Sequence, residues 1–153
     1  MHPITVRTMA FDIPDAADFH PLYIAGNAML SYTHTAMGLY VTHVEPFFVK
    51  SLRRVVDQIR DDALREDVDR FARQEAQHYQ RHADFNKIVL AHGYPGLQER
   101  VDLLHAEFEG FLAHEGDRFR IGYIEGFESY TTQMGLRMLA DGDPYACYQA
   151  LTD

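Results

Sequence analysis

Apolar residues recur at helical spacing along most of the chain, and no stretch alternates at the two-residue period of a strand. Helical patterning begins near Tyr23 and runs toward Val41. Pro46 removes the amide that would bond the Thr42 carbonyl, so a break or kink is expected just before Glu45, with a second helical stretch to about Arg60. Asp61 and Asp62 supply an N-cap, and Gly93 followed by Pro95 supplies a stop, which predicts a long helix over residues 63–92. A third helix is expected over 97–114, with Leu97, Val101, Leu104, Phe108 and Phe111 on one face and Gly116 after its end. A fourth is expected over 117–140. Asp141, Gly142, Asp143 and Pro144 then form a turn, and Tyr145 begins the first turns of a further helix. Residues 1–22 hold Pro3, Pro14 and Pro21 without a sustained period and read as an irregular arm. Residues 23–153 read as one all-α domain, an antiparallel helical bundle.

The seams of these helices are not purely apolar. Stepping by fours and threes along the long helix gives Leu64, Val68, Phe71, Glu75, His78, His82, Phe85 and Val89, which sets a carboxylate and two imidazoles between apolar ends. The preceding helix gives Glu45, Phe48, Leu52, Val55 and Ile59, and the fourth gives Ile121, Ile124, Glu128, Thr131, Gly135 and Met138. Burying a carboxylate costs several kcal/mol, on the order of 3–5 when it lacks a partner, so these inward acids require a counter-ion. Di-metal bundles meet that requirement with one Glu from each of two helices and a Glu-x-x-His from each of the other two. Glu75 and His78 form one such pair, and Glu45 and Glu128 are the single acids; a second Glu-x-x-His is expected on the helix after Pro144. The candidate metal ligands are therefore Glu45, Glu75, His78 and Glu128. Glu125 is the alternative to Glu128, one turn earlier on an overlapping face. His82 reads either as a partner holding Glu75 or Glu45 in place or as a further ligand, and Glu45 could instead cap the helix after Pro46. Pairing of the buried acids with Arg73, Arg81 or Arg137 is the competing, metal-free reading.

Composition narrows the class. The formal charge of -9, from 14 Lys+Arg against 23 Asp+Glu, opposes nucleic-acid binding. Lys50, Arg53 and Arg54 sit among apolar residues as a solvated helix edge. The lone Cys147 excludes an internal disulfide and a cysteine-rich metal site, which points to the cytoplasm, as does an N-terminus without the pattern of a secretory signal. The stretch from His20 to Val44 has no Asp, Glu, Lys or Arg but is interrupted by polar residues, and it is expected to be a buried helix, not a membrane span.

Three segments resemble the predicted metal-dependent hydrolase family of bacterial proteins: Glu45-Pro46-Phe47-Phe48; Phe71-Ala72-Arg73-Gln74-Glu75-Ala76-Gln77-His78 with His82 and Asn86 behind it; and Glu128-Ser129-Tyr130-Thr131. The resemblance covers most of the chain from about Pro21. It implies a ferritin-like bundle with a carboxylate-rich metal site, a hydrolytic activity, and a helix bearing a second Glu-x-x-His past Asp153. On that footing the fourth ligand helix is incomplete at the C-terminus, and either a further segment or a partner chain, such as a second copy in a homo-oligomer, is expected to complete it. The expected cofactor is a metal ion, iron first and manganese or zinc as alternatives. The expected substrate is an apolar small molecule, acted on by hydrolysis or by dioxygen-dependent oxidation. A non-catalytic, ferritin-like storage bundle and a helical interaction module are the readings outside enzymology.

Overall fold

A computed structural model of the chain describes residues 4–8, 13, 16–24 and 27–140, apart from the side chains of Met138 and Leu139. The expected turn at Asp141–Pro144 and the helix from Tyr145 lie outside the described residues, as do Cys147 and Pro14. Four helices, α1 (Ala28–Val55), α2 (Asp62–Ala91), α3 (Leu97–His114) and α4 (Asp117–Ala140), account for nearly all of what is described, and no strand occurs among the described residues.

The helix ends follow local chemistry. Asn27 caps α1 by accepting from the Leu30 amide, so the helix starts there and not at Tyr23. Asp61 caps α2 in the same way through the Leu64 amide. Gly93 and Gly96 take φ of 80° and 74°, the left-handed conformation that glycine adopts without a Cβ penalty, and turn the chain from α2 into α3.

The expected break before Glu45 does not occur. α1 runs unbroken through Pro46 to Val55, and only then tightens into a 3-10 turn, Val56–Gln58, short of Arg60. Proline removes one hydrogen bond, but Val44, Glu45, Phe47 and Phe48 on either side of it are all buried. The packing of that turn outweighs the local cost. The seam of α2 also ends sooner than its pattern suggests. Leu64 is 52% exposed, like the two residues before it in the first turn of α2. Nor is the N-terminal arm wholly irregular: Ala16–Asp18 form a 3-10 turn, and Phe19 packs edge-on against Phe85 and His92.

Cross-helix pairings give the directions. Gly38 meets Asn86 and Glu45 meets His78, so α1 and α2 are antiparallel. His43 lies by His105 and Lys50 by Glu109, so α3 runs parallel to α1; Tyr40 by Phe127 and Arg54 by Asp117 make α4 antiparallel to it. The result is an up-down-up-down bundle in which α1 packs against all three other helices. Its apolar core gathers Val44, Phe47, Phe48 and Leu52 of α1 with Ala72, Phe108 and Ile124. Aromatic edges join the layers, with Phe47 touching Phe108, Phe111 and Tyr123, and Phe48 touching Phe127. Lys50 and Arg54 form exposed ion pairs, the solvated edge that their spacing suggests.

Candidate metal centre

Glu45 projects from the middle of α1 into the α1–α2 seam, where its side chain is 2% exposed. Its Oε1 accepts a 2.6 Å hydrogen bond from His78 Nδ1, while its Oε2 is buried with no partner. Glu75, one turn before His78 on α2, is also buried and brings Oε2 to 4.0 Å from the same His78 Nδ1. The other ring nitrogen of His78, Nε2, lies 3.1 Å from His82 Nε2. Glu45, His78 and His82 thus offer ligand atoms that all lie within 4.8 Å of one another.

The electrostatics describe a crowded acidic interior. Burial pushes Glu45 up from 4.5 to about 7, and the charges of Glu75 and Glu128 push the same way against the His78 bond. Glu128 of α4 is half-buried, and burial followed by the Glu75 charge raises it as well. The adjacent carboxylates of Glu45 and then Glu75 hold His78 well above its ordinary 6.5. His82 goes the other way, to about 4, driven by burial and then by the charge of His78. Arginine does not relieve the acids: Arg73 pairs with Asp69, Arg81 pairs with Asp84, and Arg137 forms no ion pair among the described residues.

The structure brings Glu45 and His78 together with His82 and holds Glu75 Oε2 at 4.0 Å from His78 Nδ1; neither Glu75 nor Glu128 joins that group of close ligand atoms, and Glu128 bears on it through its charge. Glu125, the alternative to Glu128, is exposed and borders a surface hollow with Asp117, Arg118, Ile121 and Gly122. His82, at i+4 from His78, stands closer to the Glu45–His78 pair than its spacing alone establishes. Sequence reasoning assigned no role to Gly38 and Thr42, which meet the amide of Asn86 beside this cluster. It also missed Tyr40 and Tyr123, whose hydroxyls bond to each other across α1 and α4. Periodicity gives no signal for such pairs, since each depends on which helices become neighbours.

A divalent cation fits the residues present. An orphaned carboxylate oxygen, a second buried acid and two imidazoles form an oxygen and nitrogen donor set suited to zinc, iron or manganese. A cation would also relieve the mutual repulsion of Glu45, Glu75 and Glu128. Fold and site thus define an all-α bundle with a buried carboxylate–imidazole cluster. The chain matches the predicted metal-dependent hydrolase family over residues 5–148 and belongs to it. No curated protein and no solved structure gives a significant match.

Proposed function

We propose that this bundle is a metal-dependent hydrolase of an apolar small molecule, with a ferritin-like, di-metal site held by Glu45, Glu75, His78 and Glu128 and joined by His82. The observation that carries this reading is the Glu45 carboxylate, buried with one oxygen on His78 and the other on nothing. An unpaired buried carboxylate oxygen is costly, and a cation beside two imidazoles satisfies it.

A bound cation supplies Lewis acidity and lowers the pKa of water toward neutrality. Glu45 fixes the His78 ring through Nδ1 and leaves Nε2 for the cation. Glu128, half-buried on α4 and raised by burial and then by the Glu75 charge, would add a further carboxylate to the ligand set. The apolar residues around the seams, Phe48, Phe71, Phe85 and Phe127, support an apolar substrate. The same apolar surroundings favour a second reading, dioxygen-dependent oxidation at a di-iron centre. The exposed Tyr130, Met134 and Leu136 of α4 support a further covering helix, from this chain or a second copy.

Metal analysis tests the site. Glu75→Ala and His78→Ala should each lower bound iron, manganese or zinc, and Glu99→Ala should not. Equal loading in all three would remove the assignment. Anaerobic turnover of aryl or alkyl esters with manganese or zinc supports hydrolysis, whereas oxygen consumption by the reduced iron form, without ester cleavage, would replace it by oxidation.

A further inference from the structure

Asn86 lies one helical turn beyond His82 on α2 and is 5% exposed. Its Nδ2 donates at 2.9 Å to the Gly38 carbonyl and at 3.2 Å to Thr42 Oγ1. Because a carbonyl only accepts, the orientation of the amide is settled: the NH2 group meets the Gly38 carbonyl and Oδ1 is the other end of the amide. That Oδ1 is buried and has no partner. It borders the space over Gly38, where a Cβ would lie 3.5 Å from Asn86 Oδ1 and 3.7 Å from His82 Nδ1. An acceptor in need of a donor and an imidazole nitrogen therefore share one small gap, which exists because residue 38 has no side chain.

The other side of the His82 ring is already engaged, with Nε2 at 3.1 Å from His78 Nε2. We propose that Asn86 is a positioning residue for the metal centre: its Oδ1 accepts from His82 Nδ1–H through one water in the gap over Gly38. The Nε2 lone pair of His82 is thereby left facing His78 and the cation. This rests on reading His82 as a ligand of the centre. A histidine ligand generally donates its second ring nitrogen in this way, and the acceptor fixes both tautomer and ring orientation.

The test is 15N NMR of the full chain, stripped of metal by a chelator, with His82 assigned by comparison with His82→Gln. In the unsubstituted protein His82 should carry its proton on Nδ1; a proton on Nε2 overturns the proposal without need of a variant. Asn86→Asp keeps an acceptor and loses the donor to Gly38, whereas Asn86→Leu loses both. The aspartate variant should keep the Nδ1–H tautomer. The leucine variant should shift it toward Nε2–H and weaken zinc binding by roughly 10- to 100-fold. If the two variants behave alike, Asn86 is only a packing and donor residue and the proposal fails. If the tautomer follows the acceptor but zinc affinity does not, His82 leaves the ligand set, and the reading of the site fails while the hydrogen bond stands.

Discussion

One helix serves two interiors. On the face that α1 turns to α2, Gly38, Thr42 and Glu45 meet Asn86, His82 and His78, and two buried oxygens, Glu45 Oε2 and Asn86 Oδ1, have no partner. On the face it turns to α3 and α4, Tyr40, Phe47 and Phe48 meet Phe108, Phe111, Tyr123 and Phe127 in a continuous aromatic cluster. The second face is saturated, since each ring has neighbours on several sides. The first is incomplete in a specific way, with two buried acceptor oxygens left unpaired. Stability and chemistry are thus divided between two sides of the same 28 residues.

The largest effect should come from the saturated face. Phe47→Ala removes a ring that is 1% exposed from the centre of the cluster and should cost about 3–5 kcal/mol by chemical denaturation. A loss below about 1 kcal/mol would mean that the aromatic face is not where stability resides. On the other face, saturating metal should raise the melting temperature, with stabilisation of about 2.7 kcal/mol when free metal is 100 times its dissociation constant. A melting curve indifferent to chelator would contradict the division. Glu45→Gln should separate the faces, lowering metal content at least roughly tenfold while changing metal-free stability by less than about 1 kcal/mol, since glutamine still accepts from His78.

A smaller effect lies in the pH dependence. Glu45, at about 7 against an ordinary 4.5, holds a proton in the folded form that the unfolded form has lost, so stability falls as pH rises through that window. His82, at about 4 against an ordinary 6.5, acts oppositely: the unfolded form holds the proton, and stability rises with pH. The two offset one another between about 4.5 and 6.5. Above that, Glu45 and the raised His78 make the metal-free protein lose stability as they deprotonate. A cation must displace the same protons, so the melting-temperature gap between loaded and metal-free protein should widen from about pH 5 to pH 8. A gap constant across that range would show that no proton is displaced. The smallest contrast is on α4, where Glu128→Ala should lower metal content and the exposed Glu125→Ala should leave it unchanged.

The elements of the bundle were legible because their signals are local. The Asp61 cap, the left-handed Gly93 and the seams of α2 and α3 depend on neighbours a few residues away, and α2 begins and ends within a residue of its expected bounds. Pro46 did not break the helix: its cost is local, but the burial of Val44, Phe47 and Phe48 that offsets it comes from α2, α3 and α4. The acids of the cluster were visible as polar residues in apolar registers. The sequence left His82 between ligand and supporting partner, since a residue at i+4 shares a face with its neighbour whether or not it turns toward it; its contact with His78 is seen only in the structure. The aim of Asn86 depends on Gly38, 48 positions earlier in the chain.

The antiparallel pairing of α1 with α2 also has a consequence in time. Glu45, His78, His82 and Asn86 all belong to one hairpin that is complete by Ala91, whereas the aromatic partners Phe108, Tyr123 and Phe127 are made later. A chain emerging from the ribosome N-terminus first presents its carboxylate and imidazoles to the surrounding ions before it has the rings to close its other side. On the proposed site the α1–α2 ligands are made before Glu128 of α4, and an ion held across the hairpin would brace the helix onto which the rest of the protein condenses.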